Sequence, residues 1–262
     1  DLSLVDEMGP ETLTCYCALI NDLDFTKGMA LSGNTPTKKT LREMFNKAGF
    51  YDFVASDHPP KRIKEDIYGK LIHKITRSRV EGKLAADVCQ AAYKHTFNDQ
   101  NYNNKNIYTI LIECMANTRN HANYGSRNTE YNWWLLAYAE PNTRITKFCF
   151  LDLGVGIFES LNKKYTDQSL VERFKRVIVP NDNKKTLQRI FKGDKESSTN
   201  SPGRGLGIIN IYGLVRNNSN ISNFTLLSNN VIAKISYNMA DSIDLIKSNF
   251  DGTLYYWELI PN

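Results

Sequence analysis

The alternation of apolar and polar positions divides the chain into segments with helical and with extended periodicity. Apolar residues recur at helical spacing in five segments, residues 11–23, 37–45, 83–96, 106–121 and 206–216. Period-two alternation or short apolar runs predict strands at residues 1–5, 28–33, 131–138, 144–151, 224–227, 231–237 and 253–260. Helices and strands are therefore mixed along the chain, which predicts a protein of the α/β (α+β) class.

Breaks in this pattern divide the chain into three parts. Residues 1–56 run strand, helix, strand, helix. Residues 57–100 begin as a polar, basic connector, because Pro59 and Pro60 remove backbone donors and restrict their neighbours, and they end in a helix. Residues 101–262 are predicted to form one domain, with an insertion at residues 239–250 before the last strand.

Composition and charge narrow the class of protein. Hydrophobic residues make up 41% and charged residues 23%, as in ordinary globular proteins. No apolar run approaches the ~20 residues of a membrane helix, so no membrane partner is expected. Five cysteines without a C-x-x-C pair indicate reduced thiols in the cytoplasm. The net charge of +5 is scattered, which makes nucleic acid an unlikely partner and leaves a small anionic ligand open.

Candidate chemistry is concentrated in three short motifs. They are Glu113-Cys-Met-Ala-Asn117-Thr-Arg-Asn-His121, Asp152-Leu-Gly154-Val-Gly156-Ile157 and Gly203-Arg204-Gly205-Leu206-Gly207. In the first, Glu113 and Asn117 lie one helical turn apart and share a face. An amide oxygen is a suitable ligand for Mg²⁺. A carboxylate beside it can accept a proton from an attacking water or hydroxyl.

The second and third motifs are suited to the two ends of a nucleotide. Asp152 ends a strand and can accept a hydrogen bond from the amine of adenine, whereas the carbonyl of guanine would face it as a second acceptor. Glycines after it let the backbone approach a flat base. The third motif opens a helix, whose free N–H groups and dipole favour phosphate, and Arg204 adds a charged donor. There is no P-loop motif.

In this order the three motifs resemble the N, G1 and G2 boxes of the GHKL superfamily, which takes in gyrase, a heat-shock chaperone, histidine kinases and MutL. The resemblance implies a GHKL (Bergerat) two-layer α/β sandwich that binds ATP and Mg²⁺. It implies that Asn117 holds the magnesium ion and that Glu113 is the general base. The other implied nucleotide-binding residues are Asn120, His121, Asp152, Gly154, Gly156, Ile157, Gly203, Arg204, Gly205, Leu206, Gly207 and Thr253.

The resemblance also gives a role to the long polar segment at about residues 158–202. Loops of this length are usually lids or disordered, and in the family this place is the ATP lid, here expected to be helical at residues 168–177 and mobile at residues 192–201. Some candidates keep a plain alternative. The alternative for His121 is a buried histidine at a helix end, and the alternative for Thr253 is an ordinary strand residue. Arg119, like Asn120, is a candidate for phosphate contact, and its alternative is a solvated surface residue.

Two further likenesses narrow the family. Glu113, Asn117 and His121, followed by Tyr124-Gly125, resemble most closely the N box of the anti-sigma-factor serine kinases. Residues 1–56 resemble the second half of a STAS-like domain, the fold of anti-sigma-factor antagonists. That likeness is carried by Asp1-Leu-Ser3, Met8-Gly9-Pro10, Ser32-Gly33-Asn34 and Gly49-Phe50. Because Met8 stands where those antagonists carry a phosphorylatable serine, a scaffold or docking module is expected. An α/β cap of no known family is the alternative.

The function that follows from these resemblances is regulation by ATP. The chain is expected to hydrolyse Mg·ATP or to phosphorylate a protein serine or threonine in a partner-switching-type system. One alternative is an ATPase that controls an effector by closing its lid or dimer, and another is a pseudoenzyme that senses ATP. The expected partners are a nucleotide and a protein substrate or effector, and GHKL proteins often form homodimers.

Overall fold

The computed structural model describes residues 1–22, 29, 32–52, 54, 71–76, 80–99, 105–121, 131–163, 179, 181–192 and 207–261. The helices in these ranges are α1 (Pro10–Ile20), α2 (Lys39–Ala48), α3 (Gly82–Phe97), α4 (Lys105–His121), α5 (Ile157–Lys163), α6 (Asn183–Lys192) and α7 (Gly207–Arg216). The strands are β1 (Leu71–Thr76), β2 (Tyr131–Ala139), β3 (Thr146–Asp152), β4 (Ile221–Ile235) and β5 (Ser242–Leu259), and a 3-10 turn spans Phe50–Asp52.

The described strands form one antiparallel sheet in the order β1-β2-β3-β5-β4. β3 pairs with residues 253–259 of β5, and the earlier part of β5 continues beside β4 as a hairpin. Of the segment predicted as an insertion, residues 239–250, those from Ser242 onward belong to β5, so the last strand begins earlier than residue 253, where it was predicted to start. Their side chains are mostly exposed, so they lack the apolar alternation from which strands were predicted.

The side chains of β2 alternate between two hydrophobic clusters. Trp133 and Leu135 pack with residues of α3 to α7, whereas Trp134 and Leu136 pack with residues of α1 and α2. All four are at most 2% exposed. Fully burying a large apolar side chain contributes about 1.5–3 kcal/mol to the free energy of unfolding, so both faces of the sheet contribute to stability.

The protein consequently has helices on both faces of its sheet. The predicted α+β class is confirmed, but the two layers implied by the resemblance become three. Leu13 of α1 and Phe45 of α2 are fully buried in the same cluster as Leu151 of β3. The helices α1 and α2 thus share a hydrophobic core with the predicted ATP-binding domain. The pattern of apolar residues predicted the helices, but it carries no information on which sheet they cover.

Three local predictions in the first hundred residues need correction. The strand predicted at residues 1–5 is a turn, in which the N–H of Val5 bonds to the carbonyl of Leu2 at 3.1 Å. The helix predicted to begin at residue 37 begins at Lys39 as α2, and the hydroxyl of Thr37 donates to the carbonyl of Ser3 at 2.9 Å. The predicted connector contains β1, which pairs with β2. Of the strand predicted at 28–33, residues 28, 30 and 31 lie outside the described ranges.

The described helices include none that is both long and apolar enough to cross a membrane.

Candidate functional site

Four elements meet where β3 ends, and they bring together predicted site residues that are distant in sequence. These residues are Glu113 and Asn117 on α4, Asp152 on β3, Gly207 on α7 and Thr253 on β5. A Cβ atom placed on Gly207 would lie 2.7 Å from Asn117 Oδ1 and 3.0 Å from Glu113 Oε2. Asp152 and Thr253 are directly opposite each other in the sheet. The start of α7 therefore touches the predicted general base and the predicted magnesium ligand, and any residue with a side chain at position 207 would press against them.

The carboxylate of Glu113 is held from α7. Asn210, on the first turn of that helix, donates a hydrogen bond from Nδ2 to Glu113 Oε1 at 2.9 Å. Oε2 is the oxygen that lies next to Gly207. Sequence reasoning did not select Asn210, because an exposed asparagine on a helix is common. Its spacing of three from Gly207, which places it on the same face of α7, was the available signal.

The amide of Asn117 is held from the sheet. Its Nδ2 donates to the hydroxyl of Tyr255 at 3.3 Å, and its Oδ1 is the atom near Gly207. Tyr255 lies two residues after Thr253 on β5, so the two side chains are on the same face of the strand. Sequence reasoning treated Tyr255 as an ordinary strand residue, and nothing in its immediate sequence distinguishes it from one.

Asp152 is a buried carboxylate that accepts a hydrogen bond from the backbone of the loop that follows it. It is 5% exposed, and the N–H of Gly154 donates to its Oδ1 at 3.0 Å. Burial raises the pKa of Asp152 to about 7, although the hydrogen bond from Gly154 and the nearby hydroxyl of Thr118 on α4 act in the opposite direction. The proton occupancy of this carboxyl therefore changes near neutral pH.

The loop between β3 and α5 is fixed to β4 by two polar side chains. Asn229 donates from Nδ2 to the carbonyl of Val155 at 2.9 Å and accepts from the N–H of Phe158 at 3.1 Å. Ser228 accepts from the N–H of Ile157 at 2.9 Å. The predicted Gly154, Gly156 and Ile157 segment is thus rigidly positioned beside Asp152. Sequence reasoning missed Ser228 and Asn229, which lie on a strand far along the chain.

Gly156 cannot be replaced without strain, which gives a first test of the loop. Its φ is +80°, and an added Cβ would lie 2.5 Å from Asn229 Oδ1. We expect Gly156→Ala to lower the free energy of unfolding by roughly 1–3 kcal/mol, as measured by urea denaturation. Gly213→Ala is the matched control, since no atom lies within 4 Å of its added Cβ inside α7. It should raise stability by roughly 0.5–1 kcal/mol. Equal stability of the two variants would contradict this account of the loop.

Thr253 lies in the site, and its hydroxyl is within hydrogen-bond distance of the hydroxyl of Ser228. The residue is 5% exposed, and its Oγ1 is 3.3 Å from Ser228 Oγ. Ser228 Oγ also donates to the carbonyl of Gly252 at 2.9 Å. These contacts join β5, β4 and the loop after β3 into one hydrogen-bonded unit around Asp152.

Several predicted residues fall outside what the structure describes. Gly203, Arg204, Gly205 and Leu206 precede the described start of α7. Asn120 and His121 are in the last turn of α4, but their side chains, like that of Arg119, are not described. The helix predicted at residues 168–177 and nearly all of the segment predicted to be mobile, residues 192–201, are also outside the described ranges.

The last part of the predicted lid that the structure describes is the helix α6, which packs on the rest of the protein. Leu187 of α6 is fully buried, and the ring of Phe191 stacks on Tyr212 of α7 with centroids 4.3 Å apart. Asn183 at the start of α6 donates to Asn230 of β4 at 2.7 Å. This helix was not predicted, and its contacts exclude residues 183–192 from a freely moving lid.

A magnesium ion would have to be held mainly by its nucleotide. Within the described ranges, no group of three or more His, Cys, Asp or Glu side chains could hold a metal ion. Mg²⁺ in nucleotide sites commonly keeps several waters and takes one or two protein ligands in addition to phosphate oxygens. Oδ1 of Asn117, directed toward the start of α7, fits the place of one such ligand.

No protein-family model matches this chain, and no curated protein matches it. We therefore infer the function from the geometry of the site and from the chemistry of its residues.

Proposed function

We propose that this chain is an ATP-binding regulatory protein of GHKL type, which hydrolyses Mg·ATP or phosphorylates a protein serine or threonine in a partner-switching-type system. The observation that carries the proposal is the contact of Glu113 and Asn117 with the first residue of α7. Three motifs separated in sequence bring a general base, an amide oxygen, a helix start and a buried carboxylate into one region. The proposal requires that these four groups lie close together.

The base of the nucleotide would be recognised by Asp152. Its carboxylate accepts a hydrogen bond from the N–H of Gly154 and retains further acceptor capacity. The amine of adenine can donate to it, whereas guanine presents a carbonyl at the same place. Because an unsatisfied buried acceptor costs about 1–3 kcal/mol, the site would favour ATP over GTP.

The phosphates would be bound at the start of α7. A helix of ten residues has unpaired N–H groups and a positive dipole end at its first turn, where negative charge is stabilised. Gly207 has no side chain, so a phosphate can approach its backbone closely beside Asn117. Bound Mg²⁺ would neutralise phosphate charge, with the Asn117 oxygen as one of its ligands.

Glu113 would act on the attacking group. An oxygen of water, or of a protein hydroxyl, forms a bond to the γ-phosphorus, while the bond from that phosphorus to the β-γ bridging oxygen breaks and ADP leaves. The proton of the attacking oxygen passes to Glu113 Oε2, since Oε1 is engaged by Asn210. The same geometry serves hydrolysis and phosphorylation, so the choice between them depends on which hydroxyl reaches the site.

The fate of γ-labelled ATP tests this proposal. Purified protein with MgCl₂ should bind ATP saturably and prefer it to GTP by roughly tenfold or more. Label released as free phosphate would identify an ATPase, and label on an added host-lysate protein would identify a kinase. ATP that is bound but stays intact in both assays would indicate a sensor. Absence of saturable ATP binding would overturn the proposal.

A further inference from the structure

Tyr255 is a buried tyrosine whose ring packs among aromatic residues and whose hydroxyl reaches the proposed site. It is 1% exposed, and its ring centroid lies 6.4 Å from those of Phe150 and Phe224. The hydroxyl accepts a hydrogen bond from Asn117 Nδ2 at 3.3 Å. The strand thereby places one polar atom of an otherwise aromatic cluster against the amide of the predicted magnesium ligand.

Packing alone does not account for the hydroxyl. Phenylalanine would fill the same space beside Phe150 and Phe224, and it would leave no polar atom to satisfy in the core. A buried tyrosine hydroxyl normally needs a hydrogen-bond partner. Among the described residues, the Asn117 amide supplies one. The contact joins the end of α4 to the centre of the sheet at the point where the first motif meets β5.

In the structure, the contact with Tyr255 leaves the oxygen end of the Asn117 amide facing the start of α7. The two ends differ chemically, because the carbonyl oxygen can coordinate a cation and the NH₂ group cannot. With Nδ2 directed to Tyr255, Oδ1 is directed toward Gly207. A reversed amide would present two N–H groups to any metal ion at the start of α7.

The surroundings of the hydroxyl keep it in the protonated form. Burial raises the pKa of Tyr255 well above its ordinary value. A protonated hydroxyl can accept a hydrogen bond from the N–H of Asn117, as it does here.

We propose that Tyr255 is a positioning residue, which fixes the Asn117 amide with its oxygen toward the magnesium ion of a bound nucleotide. The inference rests on the proposed function, and it adds a determinant of metal affinity that makes no contact with the nucleotide itself. It acts through Asn117 and therefore should change the dependence of nucleotide binding on Mg²⁺.

Tyr255→Phe tests the proposal, because it removes a single oxygen and keeps the ring. Equilibrium binding of a fluorescent ATP analogue is titrated with MgCl₂ and repeated in EDTA. We expect the variant to need roughly five- to tenfold more Mg²⁺ for half of the metal-dependent gain in affinity, as suits loss of one hydrogen bond. Its metal-free affinity should be unchanged. Tyr256→Phe is the matched control, since the hydroxyl of Tyr256 bonds to Glu258 at 2.6 Å on the other face of β5.

The Tyr255→Phe substitution in an Asn117→Asp variant separates an effect on the orientation of the amide from a general disturbance of the site. Asn117→Asp offers two equivalent oxygens, so no choice of amide end remains. In that background, adding Tyr255→Phe should move the Mg²⁺ midpoint much less than it does in the natural chain. Thermal unfolding of each variant checks that the fold is retained.

The outcomes distinguish the two proposals. An unchanged Mg²⁺ midpoint in Tyr255→Phe, or an equal shift in both backgrounds, would overturn the positioning role while leaving ATP binding intact. Absence of nucleotide binding by the natural chain, with or without Mg²⁺, would overturn the proposed function and this inference together.

Discussion

Glu113→Gln should lower the rate of ATP turnover by roughly 10²–10⁴-fold, which is the usual contribution of a general base. Glutamine keeps the size of the side chain, and its oxygen can still accept the hydrogen bond that Asn210 donates to Glu113. The variant therefore loses the proton acceptor and little else. Its affinity for ATP, measured by equilibrium binding, should stay within a few-fold of the natural protein.

The matched control for this variant is Glu159→Gln. Glu159 is an exposed glutamate on α5, close in sequence to the second motif. It should leave turnover unchanged, measured as phosphate release or as label on protein. Full activity in Glu113→Gln would remove Glu113 from the chemistry, and a parallel loss of ATP binding would assign it to binding instead.

Asp152→Asn should have opposite effects on stability and on function. In the folded protein, burial raises the pKa of Asp152 to about 7 from an ordinary value of 3.8. Between these values the folded state binds more protons than the unfolded state, so the free energy of unfolding falls as pH rises through this window. The loss is complete above pH 7 and amounts to about 4 kcal/mol. Asparagine does not ionise, so the variant should be more stable by an amount of that order at pH 8 and similar to the natural protein near pH 4.

The same substitution should weaken ATP binding. An amide is a poorer acceptor than a carboxylate, and one of its two atoms becomes a donor. We expect affinity to fall by roughly ten- to a hundredfold at pH 8, measured calorimetrically beside urea unfolding at pH 5 and pH 8. Asp251→Asn, at an exposed position on β5, should change stability by at most about 0.5 kcal/mol. Lower stability of Asp152→Asn at pH 8 would show that burial of this carboxylate carries no such cost.

The candidate site was predictable in its composition but not in its assembly. Glu113 and Asn117 share a helical face in any fold that keeps their helix. Asp152 ends a strand, so the chain must turn after it. Their contact with Gly207 depends on how α4 and α7 pack against each other on one face of the sheet, which local patterns do not determine. The resemblance to known motifs supplied that expectation, and the structure places these described residues in contact.

The residues that sequence reasoning missed hold other residues in place. Asn210, Tyr255 and Asn229 each hydrogen-bond a predicted site residue or its loop from a different element. Such partners belong to no local motif, because their role depends on proximity after folding. The strand β1 and the helix α6 were missed for a different reason. Their apolar patterns are short, and the charged and polar residues around them in the sequence obscured these patterns.

The sequence by itself determined the α+β class, most of the helices and the central strands of the sheet, because periodicity is imposed by backbone geometry and by the need to bury one face. It also predicted which residues supply the carboxylate, the amide and the glycines of the proposed nucleotide site. The tertiary structure alone decided that α1 and α2 cover the second face of the sheet. It alone decided that Asp152 is buried enough to change its pKa, and that Tyr255 directs the amide of Asn117. Burial and long-range hydrogen bonds depend on distances between segments, and those distances arise when the chain packs.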